Sequence, residues 1–260
     1  SEERFSRKKH DSSFPNLAID YCLQEAGIEA SEIEAVVYYD KPILKFERLL
    51  RSQIDSFPAS FRHFVTSMPR WMGTRLRLPK IFKKEVGYSG PILYSEHHLS
   101  HAASAFYTSG FEESAVLTVD GVGEWATATY GVGKGKDLEL HGEIRFPHSL
   151  GLLYSAFTWY CGFKVNSAEY KLMGLAPYGQ PRFVEAIRGM FDIAEDGSFH
   201  MDMRHFSYTR GQRMFNKRFE QALGRPRRPL EDPKMDEHYK DVARSVQEVT
   251  NEAMVKMAKG

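Results

Sequence analysis

The chain has 260 residues, 42% hydrophobic and 27% charged, with a formal net charge of +1. That is enough apolar material for a sizeable core, and there is no overall field that would draw a nucleic acid. No apolar run approaches the roughly 20 residues a membrane-spanning helix needs and no signal-like segment is present, so a cytoplasmic chain without membrane contact is expected.

The opening is cationic, with Arg4, Arg7, Lys8, Lys9 and His10 preceding Phe14-Pro15. Folded against a catalytic carboxylate, such groups would hold a phosphate or another compact anion, whereas a solvated basic terminus is the plainer alternative. Leu17 to Ala26 has helical apolar spacing and stops at Gly27, and Ala35 to Tyr39 reads as a short buried strand. The only cysteines, Cys22 in this helix and Cys161 in an apolar-aromatic run, are expected to be reduced core residues. From residue 62 to 84, Arg70, Arg75, Arg77, Lys80 and Lys83 are interspersed with Phe64, Trp71, Leu76 and Phe82. Pro69 and Pro79 are expected to interrupt any long face there, leaving a folded excursion with its basic heads in solvent.

Pro91 to Ser95 predicts a strand that feeds a small-residue-rich helix from His97 to Phe106. Four residues bring a helical side chain back almost above its starting azimuth, so His97 and His101 share a face. Ala115 to Val119 predicts the next strand, which ends on Asp120-Gly121-Val122-Gly123-Glu124. Two imidazoles and a strand-end carboxylate form the outline of an open metal site suited to iron, zinc or manganese. Ordinary hydrogen-bonded histidines are the competing reading, and His98, three residues before His101, leaves the choice of ligand pair ambiguous.

Trp125 to Val132 and the alternation reaching Ile144 predict a hairpin turning at Gly133-Lys134-Gly135-Lys136, and a sheet of mixed direction. Gly121, Gly123 and the Gly131-x-Gly133-x-Gly135 run permit close backbone approach to phosphate, although neither a P-loop nor a dinucleotide fingerprint is present. Ser149 to Tyr160 predicts a helix. Asn166 with Glu169 suggests a capping box before the next one, which ends in Gly174 to Gly179. Lys164 and Lys171 give a second cationic edge near that segment. Residues 204–230 form another basic region, in which Arg225-Pro226-Arg227-Arg228-Pro229 reads as an exposed connection. A last helix starts near Met235-Asp236 and buries Tyr239, Val242, Ala243, Val246, Val249, Ala253 and Met257. The charged first residues and the helical periodicity running to the last ones predict a piece of a longer chain.

Four segments taken together carry more than their parts: Glu2 to Asp11 (EERFSRKKHD), Glu96 to Tyr107 (EHHLSHAASAFY), Val119 to Glu124 (VDGVGE) and Glu169 to Gly179 (EYKLMGLAPYG). In this order and spacing they resemble the amino-terminal part of the nodulation/antibiotic O-carbamoyltransferase family, which is related to tRNA threonylcarbamoyl-transfer enzymes. The resemblance implies an α/β, actin/sugar-kinase-like (ribonuclease H-like) mixed sheet with flanking helices, incomplete between residues 1 and 260, with 62–84 and 204–230 as basic insertions or connections. It implies ATP and a divalent metal, whether iron, zinc, magnesium or manganese, as cofactors. Carbamoyl phosphate would be the donor and a small-molecule or oligosaccharide hydroxyl compound the acceptor, with a carbamoyl-adenylate formed and pyrophosphate released. Carried over residue by residue, His97, His101 and Asp120 would be metal ligands. Asp120 would also lie at the nucleotide phosphates, Gly121, Gly123 and Lys171 would approach the nucleotide, and Arg4, Lys8 and Lys9 would bind carbamoyl phosphate. The parts expected before Ser1 and after Gly260 imply that this piece is inactive or incomplete alone.

Overall fold

The computed structural model describes residues 1–9, 11, 13–73, 75–211, 213–230, 232 and 234–260, and not the side chains of 67, 69–73 and 75. His10 of the cationic opening, and the side chains of Arg70, Trp71 and Arg75 in the basic stretch, thus lie outside the described residues.

In chain order come α1 (Glu3–Ser6), α2 (Asn16–Ala26), β1 (Val36–Tyr38), α3 (Pro42–Asp55), α4 (Phe61–Gly73), α5 (Leu78–Glu85) and β2 (Ile92–Tyr94). Helix α2 ends where expected, at Gly27 in the left-handed region (φ 66°), which a glycine adopts without a Cβ penalty. It buries none of its side chains, however, so Cys22 is exposed rather than in the core, whereas Cys161 is buried as expected. The expected break at Pro69 is absent. The α4 backbone continues to Gly73, and Pro79 sits in the first turn of α5, where a missing N–H costs nothing. The same asymmetry starts α3 at Pro42.

Strands β1 and β2 pair in parallel, Val36 against Ile92 and Tyr38 against Tyr94, with α3 to α5 forming the crossover. Then follow α6 (His97–Ser109), β3 (Glu113–Val119), β4 (Ala126–Lys134) and β5 (Asp137–Arg145). These three strands form an antiparallel meander in the order β3-β4-β5. The two strand directions therefore segregate into separate sheets instead of sharing one, because the long crossover serves the parallel pair while a tight turn at Gly135 (φ 58°) serves the meander. The protein is a mixed α/β structure. Gly131 and Gly133 are packing glycines: a Cβ would stand 2.0 Å from the Glu139 carbonyl oxygen and 2.5 Å from the Phe106 ring, respectively.

The remaining elements are α7 (Leu150–Tyr160), α8 (Glu169–Leu175), α9 (Val184–Arg188), β6 (Phe191–Ile193), β7 (Phe199–Met201), α10 (Lys217–Ala222) and α11 (Glu237–Lys259). They enclose the main core, in which Leu153, Phe157, Tyr160, Leu172, Phe191, Phe219, Val242 and Val246 are buried. Fully burying each such side chain contributes about 1.5–3 kcal/mol. A smaller cluster, Ala102, Phe106 and Val116, packs α6 on the meander. The predicted stripe of α11 is buried at Val242, Ala243, Val246, Val249 and Ala253, with Tyr239 and Met257 half-buried.

Two expectations about the connections are corrected. Asn166 is not a helix cap: it has φ 61°, the helix begins at Glu169, and only half of the capping box forms, the Asn166 N–H donating to Glu169 Oε1 at 2.8 Å. Arg225 to Pro229 is exposed at Arg225, Pro226 and Pro229 as expected, but not at its two central arginines. Arg228 is 4% exposed and donates to the carbonyls of Cys161, Lys234 and Asp232, while Arg227 lies 4.4 Å over the Trp159 ring. These arginines close the C-terminal end of α7, where carbonyls lack helical partners.

Candidate metal centre

Helix α6 starts two residues after β2, and β3 ends on the residue before Asp120, so both sheets deliver their site residues at strand ends. His97 Nε2 stands 2.8 Å from Asp120 Oδ2, and His101 Nε2 stands 3.2 Å from His97 Nε2 and 3.6 Å from the same carboxylate oxygen. All three donor atoms lie within 4.8 Å of one another. A cation bound at roughly 2.0–2.1 Å would set tetrahedral ligands about 3.3 Å apart, and these separations bracket that value. One proton on His97 Nε2 satisfies only part of three converging lone-pair donors, whereas a cation satisfies all of them. The site opens outward, with His101 exposed and Asp120 partly so, leaving room for further ligands.

The His97 contact, followed by the Gly121 N–H and the His101 charge, holds the Asp120 carboxyl far below the usual carboxylate range against a smaller opposing effect of burial. Its Oδ1 accepts the Gly121 N–H at 2.6 Å. That contact favours the carboxylate form of Asp120, the form able to bind a cation.

His98 faces the other way, and its ring nitrogens are not among the converging donor atoms. It is buried, with Nε2 at 2.9 Å from the Ala126 carbonyl and Nδ1 at 2.6 Å from Thr118 Oγ1. A carbonyl only accepts, so Nε2 carries the proton and Nδ1 accepts from Thr118, whose oxygen in turn accepts from Thr129 at 2.6 Å. Burial pushes the His98 pKa down, which keeps it neutral.

Two clamps fix the loop that carries Asp120. Ser149 caps α7, accepting the Leu152 N–H at 3.0 Å and donating to the Gly121 carbonyl at 2.7 Å. Glu124, 7% exposed, accepts the Lys41 N–H at 2.8 Å and the His97 N–H at 3.1 Å, so one carboxylate holds the first residue of α6 and the cap of α3. The sequence places Glu124 in the motif but gives no sign of this role. Arg48 and Arg51 of α3 lie over the rings of Phe146 and Trp125 at 5.0 and 5.9 Å, and burial pushes the Arg48 guanidinium down to about 10. Gly123 is small for a local reason: a Cβ there would lie 2.9 Å from the His98 ring and 3.1 Å from His97 Cβ. Gly121 has no such neighbour closer than 3.8 Å, at Leu152.

The structure thus brings together His97, His101 and Asp120, flanked by Gly121 and Gly123. The cationic opening is not part of this group. Among the described contacts Asp120 forms no hydrogen bond or ion pair with Arg4, Lys8 or Lys9. Arg4 is exposed on α1, Lys8 is exposed with its charge toward Asp11, and Lys9 lies 5.5 Å over the Tyr170 ring, beside a cavity that Lys171 also lines.

Residues 1–259 match the family model described as Carbamoyltransferase N-terminus. An uncharacterized protein of Synechocystis is 49% identical over 98% of this chain, and the chain spans 43% of that relative's length. Nodulation protein NolNO of Sinorhizobium fredii is 35% identical over 77% of the chain and 28% of its own length. Nodulation protein NolO of Bradyrhizobium diazoefficiens is 40% identical over 41% of the chain and 20% of its own. The chain therefore spans less than half the length of the curated relatives it matches. Among the described residues no helix is long and apolar enough to cross a membrane.

Proposed function

Because this chain belongs to the carbamoyltransferase N-terminus family, we propose that it is the metal- and nucleotide-binding part of an ATP-dependent O-carbamoyltransferase with an actin-like fold. The observation that carries this reading is the convergence of His97 Nε2, His101 Nε2 and Asp120 Oδ2 within 4.8 Å on two clamped elements. Two imidazoles and one carboxylate suit iron(II), zinc or manganese better than magnesium, which prefers an all-oxygen shell. Bound there, the cation would neutralise phosphate charge and polarise a phosphoryl or carbonyl oxygen.

The work of this chain's own residues is then positioning. Asp120 stays ionised and accepts the Gly121 N–H, which fixes the carboxylate plane. Glu124 and Ser149 hold the loop and α6 in one register, and Gly121 leaves space for a nucleotide phosphate beside Asp120. In the proposed reaction, hydrolysis of the carbamoyl–phosphate bond gives carbamate and inorganic phosphate, a carbamate oxygen attacks the α-phosphorus of ATP to give a carbamoyl-adenylate with pyrophosphate released, and the hydroxyl of a small-molecule or oligosaccharide acceptor then takes the carbamoyl group, losing its proton as AMP leaves.

The test measures bound metal and pyrophosphate in the complete protein. Elemental analysis should find His97→Ala/His101→Ala depleted of the metal the wild type retains. Pyrophosphate release from ATP should rise on adding carbamoyl phosphate only in the metal-loaded wild type. Unchanged metal content would remove the ligand assignment. Full metal with no stimulation by carbamoyl phosphate would leave a binding module without transferase chemistry.

A further inference from the structure

The corner between α3 and α4 is built inside out. Its buried side chains are polar: Ser60 Oγ donates to the Gln53 carbonyl at 2.5 Å, and the Gln53 side-chain amide donates to His63 Nδ1 at 2.8 Å. Its apolar side chains, Ile54, Phe57, Phe61 and Val65, are each more than half exposed. They form one patch. The Phe57 N–H donates to the Ile54 carbonyl, the Phe57 and Phe61 rings meet edge to face at 6.5 Å, and Val65 lies one helical turn beyond Phe61. Hydrogen bonds on the inner side thus present large apolar groups to solvent, the arrangement of an interaction surface. Around the patch the charge is one-sided. Residues 56–84 carry seven Lys and Arg side chains and no Asp or Glu in a chain of net charge +1, so the remainder is net negative. Arg62 flanks Phe61 on the exposed face of α4, and Lys80 and Lys83 share the exposed face of α5. The 3-10 turn Arg75–Arg77 packs on α3, α4 and α5 and keeps both basic faces on one excursion. Ser56 Oγ donates to the Thr209 carbonyl at 3.2 Å, which brings exposed Arg210, from the second basic stretch, beside the corner. The acids that bound the stretch are Asp55, which is exposed, and Glu85, which pairs with Lys84 at 2.9 Å.

We propose that this corner is a peripheral docking surface for an anionic lipid bilayer, with Ile54, Phe57, Phe61 and Val65 entering the acyl boundary and Arg62, Lys80, Lys83 and Arg210 meeting the headgroup phosphates. Among the described residues no helix is long and apolar enough to cross a membrane, so the contact is made from one side. Phe and aliphatic groups ringed by Lys and Arg bind an interface by apolar burial together with attraction to anionic lipids. Charge decides against a neutral bilayer, which offers these cations no net attraction. It also decides against a second copy of this chain, which would set like charges against like. The apolar groups decide against nucleic acid, because Ile54 and Val65 have no ring to stack on a base and no group to hydrogen-bond with one. The surface uses none of His97, His101 and Asp120 and stands apart from the function proposed above.

The complete protein would be co-sedimented with vesicles of phosphatidylcholine alone and of phosphatidylcholine mixed with phosphatidylglycerol. Binding is expected to the mixed vesicles only, and to fall with added salt. Phe57→Ser/Phe61→Ser and Lys80→Glu/Lys83→Glu are each expected to weaken it about tenfold or more, and Lys80→Arg/Lys83→Arg to keep it. All four side chains are exposed, so the thermal midpoint of each variant should stay near that of the wild type. His97→Ala/His101→Ala should bind vesicles as the wild type does. Binding to neither vesicle, binding to both alike, or equal binding by wild type and the phenylalanine and charge-reversed variants would overturn the proposal. A tighter hold on polyuridylic acid than on anionic vesicles, kept in Phe57→Ser/Phe61→Ser, would overturn it in favour of a nucleic acid. A dimer in sizing chromatography that the serine substitutions dissociate would assign the patch to a second copy instead.

Discussion

Glu124 shows how much of a site can rest on a residue that touches no substrate. Its two oxygens accept backbone N–H groups of Lys41 and His97, 83 and 27 positions away. Glu124→Gln keeps the shape but offers one acceptor oxygen and an NH2 group that faces an N–H donor. One buried N–H then loses its partner, at a cost of about 1–3 kcal/mol. Urea denaturation should show that loss, and titration with zinc should show weaker binding, since the first residue of α6, His97, is also a proposed ligand. A variant with wild-type stability and zinc affinity would mean that β2 alone fixes the start of α6. The grouping of His97, His101 and Asp120 was legible in the sequence because helical spacing and a strand-end carboxylate are local patterns. The Glu124 clamp was not, because its partners are backbone groups that leave no mark in residue types. The orientation of His98 depended likewise on Thr118 and Ala126, which only the fold brings near it.

Among the elements, long periodic ones and short apolar runs were readable, and those set by tertiary contacts were not. The apolar stripe of α11 and the turn between β4 and β5 are written at fixed local intervals. Strands β1 and β2, three residues each, lie in readable apolar runs, whereas the equally short β6 and β7 are interrupted by Asp192 and His200 and offer no such run; α3 went unassigned because Pro42 reads as a strand terminator as readily as a first helical residue. The separation of parallel and antiparallel strands into two sheets depends on pairing that no local pattern encodes. Gly151 gives a sharper case. In the first turn of α7, helix propensity favours alanine by about 1 kcal/mol. A Cβ there, however, would stand 2.6 Å from the Asp120 carbonyl oxygen and 2.7 Å from the Gly121 nitrogen. Neither contact is with a flexible side chain, so α7 or the loop must move, and overpacking of this kind costs about 1–3 kcal/mol. Gly151→Ala is thus expected to lower the thermal midpoint despite its better propensity. A raised midpoint would show that the loop yields easily and that Asp120 is held less firmly than the geometry indicates.

The whole molecule distributes its cohesion unevenly, and that asymmetry bears on the candidate metal centre. Before residue 96 the buried apolar side chains among the described residues are Pro42, Leu78 and Tyr88, while buried positions there include the Asp40–Lys45 ion pair at 2.7 Å, Gln53 and Ser60. The densely packed cluster lies instead between Leu150 and Ala253. Segments with few apolar contacts open at free energies below the global one, so hydrogen exchange should find α2 and α3 less protected than α7 and α11. The centre sits between these regimes: α6 and β3 share the small Phe106 cluster, and Glu124 links them to the cap of α3. A ligand that binds only the folded arrangement stabilises whatever must be folded to form it. Added zinc should therefore slow exchange in α6, in residues 120–124 and at the Lys41 amide, and leave α11 unchanged. Protection confined to α6 would mean that the carboxylate clamp does not transmit the effect to α3, and equal protection throughout would mean that the chain opens as one cooperative unit.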